Sequence, residues 1–244
     1  MNPQLSRSIL VHENPIEALV EFVVREAREA IEARGSFSWA LPGGSVATEG
    51  FPRLAVAPIR WPRVDFFWGD ERGVPPTHPD SNYAVAEVLL LSKISADPKR
   101  IHRMPAEQGD LVAAAREYEG VVRRVGIDLA VLGVGPDGHV CSLFPGHPLL
   151  ERTERWVLPI EDSPKPPPRR LTLTLPALFA ARSVVIVAMG TGKASVVREA
   201  VEDGASALPL ARVLRGVQKV ALLADRAAAG GSAQLPSTGS GSVA

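Results

Sequence analysis

The chain predicts an α/β fold: a Rossmann-like, open, mostly parallel twisted sheet flanked by helices in three layers. Three observations lead there. Short apolar runs alternate with longer stretches whose apolar residues recur at helical spacing, the pattern of a wound α/β sheet. Runs such as 129–134 and 184–189 are apolar at nearly every position rather than at every second one, as expected of strands covered on both faces. Several runs end in glycine-containing turns, and open α/β sheets bind their ligands at the carboxyl ends of their strands.

Taken in order, residues 8–12 form a first short strand. Asn14, Pro15 and Glu17 then mark a helix start: Asn caps, Pro fits the first turn and Glu holds the capping-box position. Ile16, Leu19, Val20, Val23, Ala27, Ala30 and Ile31 form one stripe for burial, and Gly35 is placed to end the helix. Residues 37–41 are a second strand. It runs into Pro42-Gly43-Gly44-Ser45 and a helical segment reaching residue 56. Strand, glycine turn and helix start leave backbone N–H groups and the helix dipole facing an anion. The same layout also serves as a plain tight turn.

Residues 64–68 are a third strand, followed by Asp70-Glu71-Arg72, which reads as either a solvated turn or a pocket wall. The loop continues to residue 82. Residues 83–93 return to helical patterning with Val85, Val88, Leu89 and Leu91 inward; residues 101–104 suggest a short strand and 109–125 an amphipathic helix.

The centre of the chain is 128–147, D-L-A-V-L-G-V-G-P-D-G-H-V-C-S-L-F-P-G-H. Gly133, Gly135 and Gly138 match the dinucleotide fingerprint in letters. That fingerprint requires a helix to open at the third glycine, and Pro145, Gly146 and Pro148 oppose one. What remains is either a satisfied turn with a surface histidine or an acid/base site built on Asp137 and His139. Residues 156–160 read as a strand, 163–170 as a proline-rich loop, 171–175 as an alternating Leu/Thr segment and 176–182 as a helical turn. The run 184–189 ends in Gly190-Thr191-Gly192-Lys193 and a helix to residue 202. A P-loop would need its first glycine at Val187 and a hydroxyl at Ala194, so only a phosphate contact from Lys193 is expected. Residues 217–224 are the last strand. Residues 1–226 are read as one domain and 227–244 as a flexible Ala/Gly/Ser-rich tail; the L-P-S-T-G at 235–239 is a chance match to a sorting signal.

The totals narrow the function. The 244 residues are 45% hydrophobic and 22% charged, with 27 basic and 27 acidic side chains. That balance opposes a nucleic-acid partner held by bulk charge. One cysteine, Cys141, rules out an intrachain disulfide. No apolar run approaches the ~18 residues of a membrane span. The first residues lack the apolar core of a signal peptide, so a cytoplasmic location is expected.

Four strand ends carry unusual loops: Gly43-Gly44-Ser45, Asp70-Glu71-Arg72, Asp137-Gly138-His139 and Gly190-Thr191-Gly192-Lys193. Gathered on one rim, they would make a pocket for a small phosphorylated substrate and proton-transfer chemistry. The segments A-L-P-G-G-S (40–45), F-F-W-G-D-E-R-G-V-P (66–75), D-S-N-Y (80–83), G-P-D-G-H-V-C-S-L-F-P-G (135–146), P-R-R-L-T-L-T (168–174) and G-T-G-K (190–193) occur in an order and form that resembles the 6-phosphogluconolactonase family, related to the glucosamine-6-phosphate deaminases. The resemblance implies hydrolysis of a phosphorylated sugar lactone without metal or cofactor. It implies His139 as general base, Asp137 as its orienting partner and Arg72 as a positive charge at the reacting centre. Gly43, Gly44, Ser45, Asp70, Arg170 and Lys193 would bind substrate. Ser142-Leu143-Phe144-Pro145 stands where the deaminase branch carries asparagine, glutamate and proline, which favours the lactonase over a sugar-phosphate isomerase or deaminase. A non-catalytic sugar-phosphate sensor ranks third. Two departures stand out: Val46 replaces a hydroxyl residue, and Cys141 occupies a position that is small and unreactive in the family. A cysteine nucleophile, or a metal on His139, Cys141 and His147, is the minor alternative.

Overall fold

The computed structural model describes residues 6–230. Residues 1–5 and 231–244, with the sorting-signal look-alike, lie outside them. Strand β1 (Ser6–Val11) leads to helix α1 (Pro15–Arg34), capped by the Asn14 side chain and closed by Gly35 in the left-handed region. Then come β2 (Phe37–Leu41), α2 (Gly44–Leu54), β3 (Val64–Trp68), β4 (Asp70–Arg72), α3 (Asn82–Leu89), α4 (Leu111–Val125), β5 (Leu129–Gly133), β6 (Val157–Ile160), β7 (Arg170–Leu173), α5 (Leu175–Ala180), β8 (Ser183–Ala188), α6 (Ala194–Glu202), α7 (Pro209–Gly216) and β9 (Lys219–Ala224).

Six strands form one sheet in the order β1-β9-β8-β5-β2-β3, and every neighbouring pair is parallel. The largely apolar strands fit this: β2, β3 and β8 are buried along their whole length, Ser38 and Asp65 included, as strands with both faces covered must be. Helices α1, α2 and α3 pack in succession, and α5 and α6 both pack on α7. Trp39 of β2 and Phe66 of β3 are fully buried, with ring centroids 6.2 Å apart. Truncating either ring to alanine would cost about 3–5 kcal/mol. The strand order positions the site. From β2 the chain steps outward to β3, then returns to β5 and winds the other way through β8 and β9. The loops leaving β2 and β5 therefore diverge, and a crevice opens between them at their carboxyl ends.

Several expectations are corrected. Asp70-Glu71-Arg72 is not a loop but strand β4, antiparallel to β7, with β6 completing a separate three-stranded sheet. Its register sets Asp70 opposite Thr172 and Arg72 opposite Arg170. Three ionisable residues carry no strand signal; pairing with a remote segment makes them one. Residues 101–104 give only a single bridge, Ile101 to Phe66. Val88 is 64% exposed, because α3 ends at Leu89 and the chain tightens into a 3-10 turn at Leu91–Lys93. Helix α7 packs against α5 and α6 and buries Leu210, Ala211 and Val213. The tail expected from residue 227 opens, within the described residues, with an ordered turn: Ala228 is fully buried and bonded to the Asp225 carboxylate. Among the described residues, no helix is long and apolar enough to cross a membrane.

Candidate active site

The turn after β2 is built for close approach. Gly43 caps α2 with no side-chain bond, and Gly44 sits at φ 62°, a conformation suited to glycine. A Cβ on Gly43 would stand 2.3 Å from the Asn82 side-chain oxygen. Asn82 in turn donates to the Asp70 carbonyl at 2.8 Å, tying this turn to the start of β4. The first-turn N–H groups of α2 have no intrahelical acceptors, which leaves them for an anion. Ser45 is exposed there; Val46 is buried and faces Gly133.

The three charges after β3 separate by role. Glu71 turns inward and accepts from Ser81 Oγ and from the backbone N–H groups of Arg72, Asn82 and Tyr83, so it anchors the start of α3. Burial raises its pKa against those bonds. Asp70 accepts from Ser142 Oγ at 2.5 Å and faces the Arg170 guanidinium at 3.7 Å. Arg72 donates to the Asp80 carbonyl at 2.8 Å, while its buried Nε has no partner.

The turn after β5 presents the imidazole. Gly138 adopts φ 80°, and the Gly135 N–H donates to the His139 carbonyl at 2.8 Å. The ring folds back over Gly135, where a Cβ would stand 2.0 Å from His139 Nδ1; only glycine leaves that space. Phe144 backs the ring at 4.9 Å between centroids. His139 Nδ1 lies 2.5 Å from Asp137 Oδ1. Burial pushes the Asp137 pKa up, but the hydrogen bond and charge of His139, with Lys165, outweigh it and bring it to about 2. Burial pushes His139 below its ordinary value despite Asp137. The ring is therefore neutral at neutral pH. With its proton on Nδ1, donated to Asp137, the Nε2 lone pair is the one left to act as a base.

After β8, the Asp225 carboxylate takes the Gly190 N–H at 2.9 Å and holds the turn that delivers Lys193. Burial and then repulsion from Lys165 push the Lys193 pKa down.

These turns meet in a cleft of about 250 Å³. Gly43, Gly44, Ser45, Asp70, Arg72, His139, Arg170 and Lys193 all line it. Asp137 does not; it stands behind the imidazole. Arg170 is the surprise among the expected residues. It is 4% exposed, and its guanidinium makes four hydrogen bonds to the protein: to Ser142 Oγ and to the carbonyls of Lys165, Pro166 and Pro167. Cys141 also lines the cleft, with burial and then Asp70 holding its thiol well above the ordinary range, opposite to what a nucleophile needs. His147 is turned away: its ring pairs with Asp162 and accepts from the Leu149 N–H. Among the described residues, no three His, Cys, Asp or Glu side chains converge as a metal site would require.

Sequence reasoning missed Ser142, Asn82 and Lys165. The lysine is the most consequential: its Nζ lies 3.2 Å from Asp137 Oδ2 and 3.2 Å from His139 Nδ1. A lysine among prolines carries no local signal; only the folded loop brings it to the pair.

Comparison with known proteins agrees with this arrangement. The family model for glucosamine-6-phosphate isomerases/6-phosphogluconolactonase matches residues 12–222. The 6-phosphogluconolactonase of Rattus norvegicus is 41% identical over 229 residues, covering 87% of each chain. That of Streptomyces coelicolor is 39% identical over 238 residues, covering 90% of each. The crystal structure of 6-phosphogluconolactonase from Thermotoga maritima superposes with a TM-score of 0.81 at 27% identity, covering 90% of this chain and 100% of that one. A family match across nearly the whole described chain, joined to relatives at this identity, means that the chain belongs to the glucosamine-6-phosphate isomerase/6-phosphogluconolactonase family.

Proposed function

We propose that this chain hydrolyses 6-phosphoglucono-1,5-lactone to 6-phosphogluconate, with His139 as the proton-transfer group. The observation that carries the reading is the Asp137–His139 pair opening onto the same cleft as Arg72, Lys193 and the uncapped start of α2. The substrate phosphate binds at the first turn of α2, beside Gly44 and Ser45, with Lys193 as its counter-charge. Holding that remote group positions the lactone carbonyl near His139. Water adds to C1 as its proton passes to His139 Nε2, while Asp137 keeps the imidazole oriented and stabilises the imidazolium. Arg72 offers positive charge to the developing oxyanion. The C1–O5 bond then breaks, the ring oxygen takes the proton from His139 and becomes a hydroxyl, and the new carboxylic acid releases one proton to solvent. Arg170 works at one remove, holding Asp70, Ser142 and the proline loop in place.

This reading carries with it a free small-molecule substrate, no nucleic-acid partner and a cytoplasmic location, supported by the balanced charge and the single cysteine. The test uses freshly made lactone, with spontaneous hydrolysis subtracted. Wild-type protein accelerates its loss and releases no ammonia from glucosamine 6-phosphate. His139→Gln loses at least about a hundredfold in kcat, the usual scale of general acid–base catalysis, while still binding 6-phosphogluconate. Near-wild-type turnover in that variant refutes the assignment.

A further inference from the structure

The proline-rich loop between β6 and β7 carries Lys165 to the Asp137–His139 pair. Its backbone is pinned. Arg170 Nη2 donates to the carbonyls of Lys165 and Pro166 at 3.1 and 3.0 Å. Ser163 Oγ donates to the Lys165 carbonyl at 2.9 Å and accepts from the Lys165 N–H at 3.3 Å. The side chain leaves this anchored backbone and reaches Asp137, at 3.3 Å from Oδ1 and 3.2 Å from Oδ2. It also lies 3.2 Å from His139 Nδ1. An unconstrained surface lysine would extend into water; this one is aimed from a fixed base at the side of the imidazole away from the cleft.

Resting on the reading of His139 as base, we propose that Lys165 is a positioning residue for the hydrolysis: its ammonium bridges both oxygens of Asp137 and keeps one of them on His139 Nδ1, so that the Nε2 lone pair stays toward water. The bridge stops the carboxylate from rotating off the ring. The same cation disfavours a premature imidazolium. The other groups bearing on the ring are Asp70 from β4, the Phe144 face, and Arg72, Arg170 and Lys193 across the cleft. Of the cations, Lys165 alone comes within 3.2 Å of an imidazole nitrogen among the described contacts, and it acts on the protonated Nδ1 as a charge. Removing it takes a positive charge from beside Nδ1, so the imidazole protonates more readily and the acid side of the pH profile moves upward.

The experiment measures kcat and KM for the lactone from about pH 5 to 8 in wild type, Lys165→Met, Lys165→Arg and His139→Gln. Lys165→Met is expected to lower kcat about tenfold, at the low end of what acid–base positioning supplies, with KM within about twofold. Its acid limb moves up by about half a pH unit, and Lys165→Arg returns the limb toward wild type. An unmoved limb with unchanged kcat overturns the inference. So does a raised KM at unchanged kcat, which would make Lys165 a substrate contact. If His139→Gln stays active, the parent reading fails, whatever the lysine variants do. If it is inactive while Lys165→Met behaves as wild type, only the lysine inference fails. The bonds that pin the loop come from the backbone of residue 165, so these variants keep the fold, checked by a melting temperature within a few degrees. Lys165→Gln takes the place of Lys165→Met should that check fail.

Discussion

The cleft has two basic walls, and they are built on opposite principles. On the β7 wall, Arg170 is nearly sealed from solvent, four of its five guanidinium N–H groups are bonded to protein acceptors, and Asp70 stands beside it at 3.7 Å. On the β8 wall, Lys193 is partly desolvated at the mouth of α6, lined up on the cleft, and makes no ion pair among the described residues. A cation satisfied by the protein is scaffold. A cation held in place without a partner is poised for an anion from outside, because binding that anion relieves the desolvation. Both residues line the same cavity, so lining alone does not tell a binding group from a supporting one.

That contrast is testable from its strongest consequence downward. Arg170→Ala leaves Asp70 without its buried counter-charge and frees three loop carbonyls. We expect a loss of about 3–5 kcal/mol of unfolding free energy, the scale for breaking a buried ion pair, read by denaturant titration, with activity falling alongside. A stable variant that loses only phosphate affinity would break the comparison. Lys193→Ala should do the reverse. Unfolding free energy changes by less than about 0.5 kcal/mol, while KM for the lactone rises roughly tenfold to a hundredfold, the worth of one charged hydrogen bond. Unchanged KM would remove Lys193 from the phosphate site.

The smallest effect sharpens the comparison through pH. The free Lys193 amine sits below its ordinary value because burial, then Lys165, disfavours its charge. A folded pKa below the unfolded one costs stability while the amine is charged; that cost is full below the folded value, falls as pH rises past it, and is gone above the unfolded value. A bound phosphate raises the value again. Binding of 6-phosphogluconate at about pH 9, just under the ordinary lysine range, should therefore take up a fraction of a proton. Calorimetry in buffers of different ionisation enthalpy reads that uptake, and Lys193→Met should abolish it. Equal uptake in the variant would point to another group.

Much of this could be read from the chain because it is local. Gly43, Gly44 and Ser45 follow directly on an apolar strand, as do His139 after β5 and Lys193 after β8, so strand, turn and functional residue lie within one short stretch. Parallel strands then bring their carboxyl ends together without further information. The parts that escaped reading depend on partners far away in sequence. Asp70–Arg72 becomes a strand only against β7, and Val88 turns out exposed because α3 stops before its next turn. Arg170 reads as a candidate ligand from its charge alone; that loop carbonyls take three of its N–H groups is seen only in the fold.

By itself, then, the sequence determined the wound parallel sheet, the glycine turns at its rim and the imidazole with its adjacent carboxylate. These follow from hydrophobic period and from the backbone freedom of glycine, both properties of neighbouring residues. Only the tertiary structure decided which charges face the cleft bare and which are already neutralised, and that Lys165 stands behind Asp137 and His139. Electrostatic role is set by distance, burial and occupied hydrogen bonds, and those exist only once segments remote in the chain have packed together.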